Sequence, residues 1–488
     1  VPKNTLQLSN PDLLKQQCLI KDGWHAASDA ASIEVRNPFT GDVIGTVPSL
    51  TQQDVNDAVA FSHEAQVSWA AKTAQERSVL LQKWADLIDA NKEDLAIIMT
   101  AEQGKPISES RGEIGYANSF IRWFAEEAKR VYGDVIPATQ SQLRYVILKQ
   151  PVGVCAAITP WNFPAAMITR KAAPAIAAGC TIIIKPATET PFSALALGVL
   201  AEQAGIPTGV VQVVTGKSSV IGDILTGDAR IQKLSFTGST EVGRTLMAQC
   251  ATTIKKLSLE LGGNAPFIVF EDADLEKAAE GLIASKYRNA GQTCVCANRV
   301  YVQASIKNEF LDIFVKKVAA LKVGNGAEEG VSIGPLINTA ALEKVQALLK
   351  DAIDKGATLV TGGDTNKASK LSFNPTVLTD ISADMDIASE EIFGPIASIF
   401  TFESEEEVIR AANDTIYGLA AYFYSSDFSR AWRVTEGLEY GMVGHNTGMI
   451  STEVAPFGGV KQSGFGREGS KYGIEEYVVT KYWCSDIS

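Results

Sequence analysis

Histidine is almost missing from this chain. Its 488 residues hold three, His25, His63 and His445, and none sits in a motif-like setting. That scarcity removes the usual base of a cysteine hydrolase. No apolar run reaches the ~18 residues needed to span a bilayer, so no membrane association is expected. No G-x-G-x-x-G stands between the first strand of the α/β series and its helix, where a dinucleotide fold normally carries it. Gly216-Lys217-Ser218 looks like the end of a phosphate loop, but the upstream glycine would have to fall at Val211, so the P-loop reading fails. The seven cysteines are odd in number and scattered, which is no disulfide framework and points to a reducing compartment. Cys294 and Cys296 lack a second Cys/His pair, so they are not a zinc site, and no metal is expected. Basic charge is also short. Lys and Arg number 44 against 56 Asp and Glu, a net −12, which argues against nucleic acid and anionic membranes as partners.

What is present is ordinary for a large globular enzyme. Hydrophobic residues make up 46% and charged residues 20%, and the length suggests about two to four domains. The segment Val1–Leu13 is polar, with no apolar core of a signal peptide. A cytoplasmic location is expected, or the mitochondrial matrix if a presequence has been removed.

Residues from Thr51 to about Lys129 read as helical. Thr51 and Asp54 form a capping-box pattern before Val55, Ala58 and Val59. Gly104 and Pro106 break the region. Arg144–Lys149 is β-rich and stands outside the helices. Strands then alternate with helices: strand Gly153–Thr159, helix Pro164–Ala178, strand Thr181–Lys185, helix Ser193–Ala204, strands Val210–Val214 and Lys233–Phe236, helix Ser239–Cys250, and strand Lys256–Leu261. This pattern predicts an α/β fold with a doubly wound parallel sheet, which binds ligands at the carboxyl ends of its strands. After Gly262-Gly263 a second α/β series begins, with strand Ala265–Phe270 and helix Asp274–Asn289, and runs to about Thr447. A glycine-rich loop, Pro456–Gly466, and a short tail follow.

Five places could carry chemistry. Gly238 and Ser239 follow a strand and open a helix, where backbone N–H groups suit a pyrophosphate; a plain capped turn explains them as well. Lys185, at a strand end, could meet ribose or phosphate, or be a solvated loop lysine. Cys294, in Gly291-Gln-Thr-Cys294, is an approachable thiol that would need a base; the plain reading is a small buried apolar residue. Glu260, in Glu260-Leu-Gly-Gly263, could be that base if a partly apolar cleft raised its pKa. Asn162, in Pro160-Trp-Asn-Phe-Pro164, could donate to an oxyanion, a contribution of ~3 kcal/mol when well placed, or could make an Asx-turn.

Taken together, in this order and spacing, these pieces resemble the aldehyde dehydrogenase superfamily over nearly the whole chain. The Lys185-Pro-Ala loop, Glu390-Glu-Ile-Phe-Gly-Pro395 and Pro456-Phe-Gly-Gly459 belong to the same resemblance. It implies a cofactor-binding domain at 1–130 and 152–261, a catalytic domain at 262–460, and a β oligomerisation arm at 131–151 and 475–488, in a homodimer or homotetramer. It also implies roles. Cys294 attacks the aldehyde, Asn162 stabilises the oxyanion, and Glu260 activates the water that hydrolyses the thioester. Thr159, Pro160, Trp161, Lys185, Thr188, Gly238, Ser239, Glu391 and Phe393 would bind the dinucleotide. NAD-preferring members often carry Glu three residues after the lysine; here that position is Thr188. Loss of the carboxylate relieves repulsion of a 2′-phosphate, so NADP is expected, with NAD the alternative.

Three segments narrow the resemblance to the succinate-semialdehyde dehydrogenases: Met167–Lys171, Ser285–Asn298 and Gly464–Gly473. In that subfamily two arginines and a serine hold the substrate carboxylate, and the matching positions are Arg170, Arg288 and Ser451. Guanidinium groups suit carboxylates, though ordinary salt bridges would also explain them. Some members form a Cys-x-Cys disulfide that blocks the nucleophile, which makes Cys296 a candidate redox switch; otherwise it is a small wall residue. Glutarate semialdehyde is the alternative substrate. A CoA-acylating enzyme is disfavoured by Glu260, a cysteine hydrolase by the missing histidine, and a non-catalytic protein by the complete motif set.

Overall fold

A computed structural model describes residues 6–488; Val1–Thr5, part of the polar stretch noted above, lie outside them. The helical region is four helices, Gln52–Ala70, Ala74–Ala90, Lys92–Gln103 and Ile107–Glu127. The Thr51 capping box forms, with the Asp54 N–H donating to the Thr51 hydroxyl and the Asp54 carboxylate accepting from the Thr51 N–H. Gly104, at φ 92°, ends the third helix, and Pro106 caps the fourth.

An eight-stranded sheet has five parallel strands at its centre, ordered Lys256–Glu260, Ile231–Thr237, Val154–Ile158, Ile182–Lys185 and Val211–Val213. Its strands alternate between two cores. Cys155, Ala157, Ile182 and Ile184 face one, while Val154, Ala156 and Ile183 face the other. Side chains of period two, apolar on both faces, are what a parallel sheet covered by helices requires. The remaining strands of this sheet come from distant parts of the chain. Cys18–Ile20 and Gly23–His25 extend one edge, and Gly464–Phe465, from the glycine-rich loop, pairs antiparallel with Leu259 and Glu260 at the other. Neither contribution is expected from the local pattern.

A seven-stranded sheet holds Ala265–Val269 and Ala297–Gln303 at its centre, with the strand Met442–His445 at one edge. A separate three-stranded antiparallel sheet joins Asp134–Ile136, Leu143–Pro151 and Val478–Asp486, so the β-rich stretch pairs along its length with the C-terminal tail. No helix among the described residues is long and apolar enough to cross a membrane.

Some element boundaries differ from those read above. The helix expected from Pro164 starts at Ala166. A helix at Ser218–Gly227 was not expected. The helix expected to reach Asn289 stops at Lys286, because Asn289 and Ala290 turn left-handed at φ 50° and 55°.

Candidate active site

The two sheets meet around Cys294. Gly291 follows the left-handed pair, and a Cβ there would sit 2.2 Å from the Gly394 carbonyl oxygen. Gly263 is equally confined: a Cβ would lie 2.3 Å from the carbonyl oxygen of Cys294. Gly263 thus lets the Cys294 loop and the strand end after Glu260 approach through backbone alone.

Cys294 lines two cavities. One, of about 320 Å³, also touches Phe163, Arg170, Arg288, Ser451 and Phe457. The other, of about 290 Å³, touches Trp161, Asn162, Gly238, Ser239, Glu391 and Phe393. Met167 is the other residue shared. Burial pushes the Cys294 thiol up to about 12, helped by the charges of Glu391 and Glu260 and opposed by Arg170. The thiol is therefore protonated at neutral pH and must lose its proton to react.

Glu260 is buried, and both carboxylate oxygens lack hydrogen-bond partners. Burial and the neighbouring Glu468 carboxylate drive its pKa well above the ordinary carboxylate range. It does not line either cavity, and sits behind the wall, close enough for its charge to act on Cys294. Glu468 is paired with Arg170 Nε at 2.6 Å and with Lys171 Nζ. This buried ionic group was missed in sequence. Its members lie 297 residues apart, and only the subfamily-like segments holding Lys171 and Glu468 hinted at either.

Asn162 is also buried. Its Nδ2 donates to the Gln292 carbonyl at 3.0 Å, which leaves its second N–H for a ligand. Its own backbone carbonyl accepts from Lys105 Nζ and Asn289 Nδ2. Glu113 holds Lys105 at 2.5 Å and accepts from the Ala165 and Ala166 N–H groups, so the helix after the loop is capped by a carboxylate from elsewhere. Sequence had assigned neither Lys105 nor Glu113.

The second cavity suits a dinucleotide. Trp161 and Phe393 meet edge to face, with centroids 5.6 Å apart. Glu391 accepts from the Gly263 N–H at 3.0 Å, and burial pushes it up to about 7. Gly238 lines this cavity, but its own backbone donor is engaged. Its N–H donates to the Glu260 carbonyl, so it is spent in holding adjacent strand ends rather than free for phosphate. Ser239 is an N-cap, accepting from the Val242 N–H at 3.4 Å, and the first-turn N–H groups behind it keep no intrahelical partner. Lys185 and Thr159 lie outside both cavities, at neighbouring strand ends, with the Thr159 N–H donating to the Lys185 carbonyl. Lys185 Nζ bonds the Ser218 hydroxyl at 2.9 Å, Thr188 is exposed, and Glu189 lies near enough to favour the charged lysine.

Cys294 and Cys296 are both free thiols, and Cys296 is buried. Among the described residues no group of three or more His, Cys, Asp or Glu is placed to hold a metal ion.

The chain belongs to the aldehyde dehydrogenase family, whose model matches residues 24–483. It is 57% identical over 482 residues to glutarate-semialdehyde dehydrogenase of Pseudomonas putida, covering 99% of this chain and 100% of that protein. It is 55% identical to the NADP(+) succinate-semialdehyde dehydrogenase of Escherichia coli, covering 98% and 99%. The crystal structure of an aldehyde dehydrogenase from Brucella melitensis biovar abortus superposes with a TM-score of 0.98 at 64% identity, covering 99% and 100%.

Proposed function

We propose that this enzyme oxidises succinate semialdehyde to succinate with NADP as acceptor. The observation that carries the reading is one cavity lined by the nucleophile and by two arginines and a serine. An aldehyde at Cys294 with an anion at its far end fits that distribution, since guanidinium groups bind carboxylates with charge-assisted hydrogen bonds. The names of the two relatives support an ω-semialdehyde of this type. Glutarate semialdehyde is the second reading, favoured by the relative at 57% identity.

The Cys294 thiol gives up its proton to solvent, and the sulfur attacks the carbonyl carbon. The free N–H of Asn162 and the Cys294 backbone N–H receive the oxyanion. A dinucleotide held at the second cavity would supply the two-electron acceptor needed to oxidise the adduct to a thioester. Glu260 then takes a proton from the attacking water; from its recessed seat it works through a water or by turning about its side-chain bonds. Trp161, Glu391 and Phe393 would hold the nicotinamide end, and Lys185, Thr188 and Ser239 the ribose and phosphates. The three-stranded sheet leaves Val135, Tyr482 and Trp483 exposed, which supports its reading as the arm of a homo-oligomer.

Two outcomes test this. Steady-state rates with succinate semialdehyde and butanal should show a strong preference for the semialdehyde. Arg288→Ala should raise KM for it by about tenfold or more, the scale of losing a charge-assisted bond, and leave butanal little changed. Equal turnover of butanal by the parent enzyme would leave a general aldehyde dehydrogenase. For the cofactor, KM for NADP should lie below that for NAD, because Thr188 presents no carboxylate to a 2′-phosphate; a far lower KM for NAD refutes it.

A further inference from the structure

The cavity wall opposite the nucleophile loop is one face of the helix Ile107–Glu127. Glu109, Gly112, Glu113 and Tyr116 recur there at helical spacing and all line the cavity. The carboxylates are occupied. Glu113 holds Lys105 and caps the next helix, and Glu109 accepts from the Asn289 N–H at 2.9 Å. Tyr116 is different. Its hydroxyl is buried and has no hydrogen-bond partner, although it faces Ser451 and lies within the fields of Arg170 and Arg288.

A buried hydroxyl without a partner carries a desolvation cost that a ligand can relieve. The two guanidinium groups beside it are incomplete in the same way. Arg170 is ion-paired through Nε with Glu468, but neither its Nε nor its Nη2 makes a hydrogen bond, and Arg288 leaves Nε without one. Unpaired donors from three side chains therefore surround one part of the cavity. The tyrosine ring is held edge-on against Phe120, with centroids 5.0 Å apart. The guanidinium of Arg170 packs over Phe457 at 3.9 Å. Donors fixed in this way need little reordering to receive an anion.

We infer that the Tyr116 hydroxyl donates a hydrogen bond directly to the far carboxylate of the substrate, beside Arg170 and Arg288. The assignment rests on reading the cavity as the seat of an aldehyde that carries a carboxylate. Burial raises the phenol, so it remains a donor at neutral pH. Within this geometry the tyrosine contributes to recognition and takes no part in bond making at Cys294.

The test is Tyr116→Phe, which removes one oxygen and keeps the ring against Phe120. Rates are measured with succinate semialdehyde and with butanal. The expected result is a KM for the semialdehyde raised by about tenfold or more, on the scale of a hydrogen bond to a charged group. Its kcat, and both constants for butanal, should stay near those of the parent. A variant that keeps the parent's KM for the semialdehyde overturns the assignment alone. Equal losses on both aldehydes overturn it in favour of a packing role. A parent that turns over butanal as well as the semialdehyde overturns the underlying reading, and the assignment with it.

Discussion

Cys294→Ala is expected to abolish aldehyde oxidation, by at least about four orders of magnitude, while cofactor binding survives. On the proposed route the sulfur bonds the carbonyl carbon, and it stands where the two cavities meet. No other described cysteine lines either cavity. The cofactor-side contacts of Trp161, Glu391 and Phe393 do not pass through the sulfur, so titration of the dinucleotide should give an unchanged affinity. Initial rates and that titration, made on the same preparation, separate the two effects. Turnover equal to the parent's would sink the covalent route.

Glu260→Gln should divide the reaction at its midpoint. The substitution keeps shape and removes a charge that otherwise raises the Cys294 thiol, so attack and hydride departure should proceed. Hydrolysis of the thioester should not keep pace. Rapid mixing is expected to show a burst of about one reduced cofactor per site, followed by a steady rate lower by ~10²–10⁴, the usual contribution of a placed base. The pH dependence carries the same sign. Glu260 works as the carboxylate, and its folded pKa is raised by burial and by Glu468. The parent's rate should therefore fall as pH drops through a value above the ordinary carboxylate range, and recover above it. That limb should vanish in the variant. A normal steady rate without a burst would place the base elsewhere.

These two residues show how far local pattern reaches. Cys294 and Glu260 were legible because each sits in a glycine-bearing turn at a strand or helix end, where a side chain can face a cleft. The strands were legible as well, since Val154–Ile158 and Ile182–Lys185 are apolar on both faces, as a helix-covered parallel sheet demands. The helix Ser218–Gly227 escapes local reading because its opening, Gly216-Lys217-Ser218, mimics the end of a phosphate loop. The strand Gly464–Phe465 was missed because two residues in a glycine-rich loop carry no period.

By itself the sequence determined the sheet-building segments and marked Cys294, Glu260 and Asn162 as candidates, because those depend on residue type and on neighbours in the chain. Tertiary structure alone decided what surrounds them. It set Gly263 against the Cys294 carbonyl, sealed Glu468 between Arg170 and Lys171, took the Gly238 N–H for the Glu260 strand end, and turned Tyr116 into the cavity. Burial fixes the protonation of Glu260 and Cys294 through desolvation and through charges from distant segments. A linear sequence holds no distances between such segments, so pKa values and unpaired donors emerge only once the chain has folded.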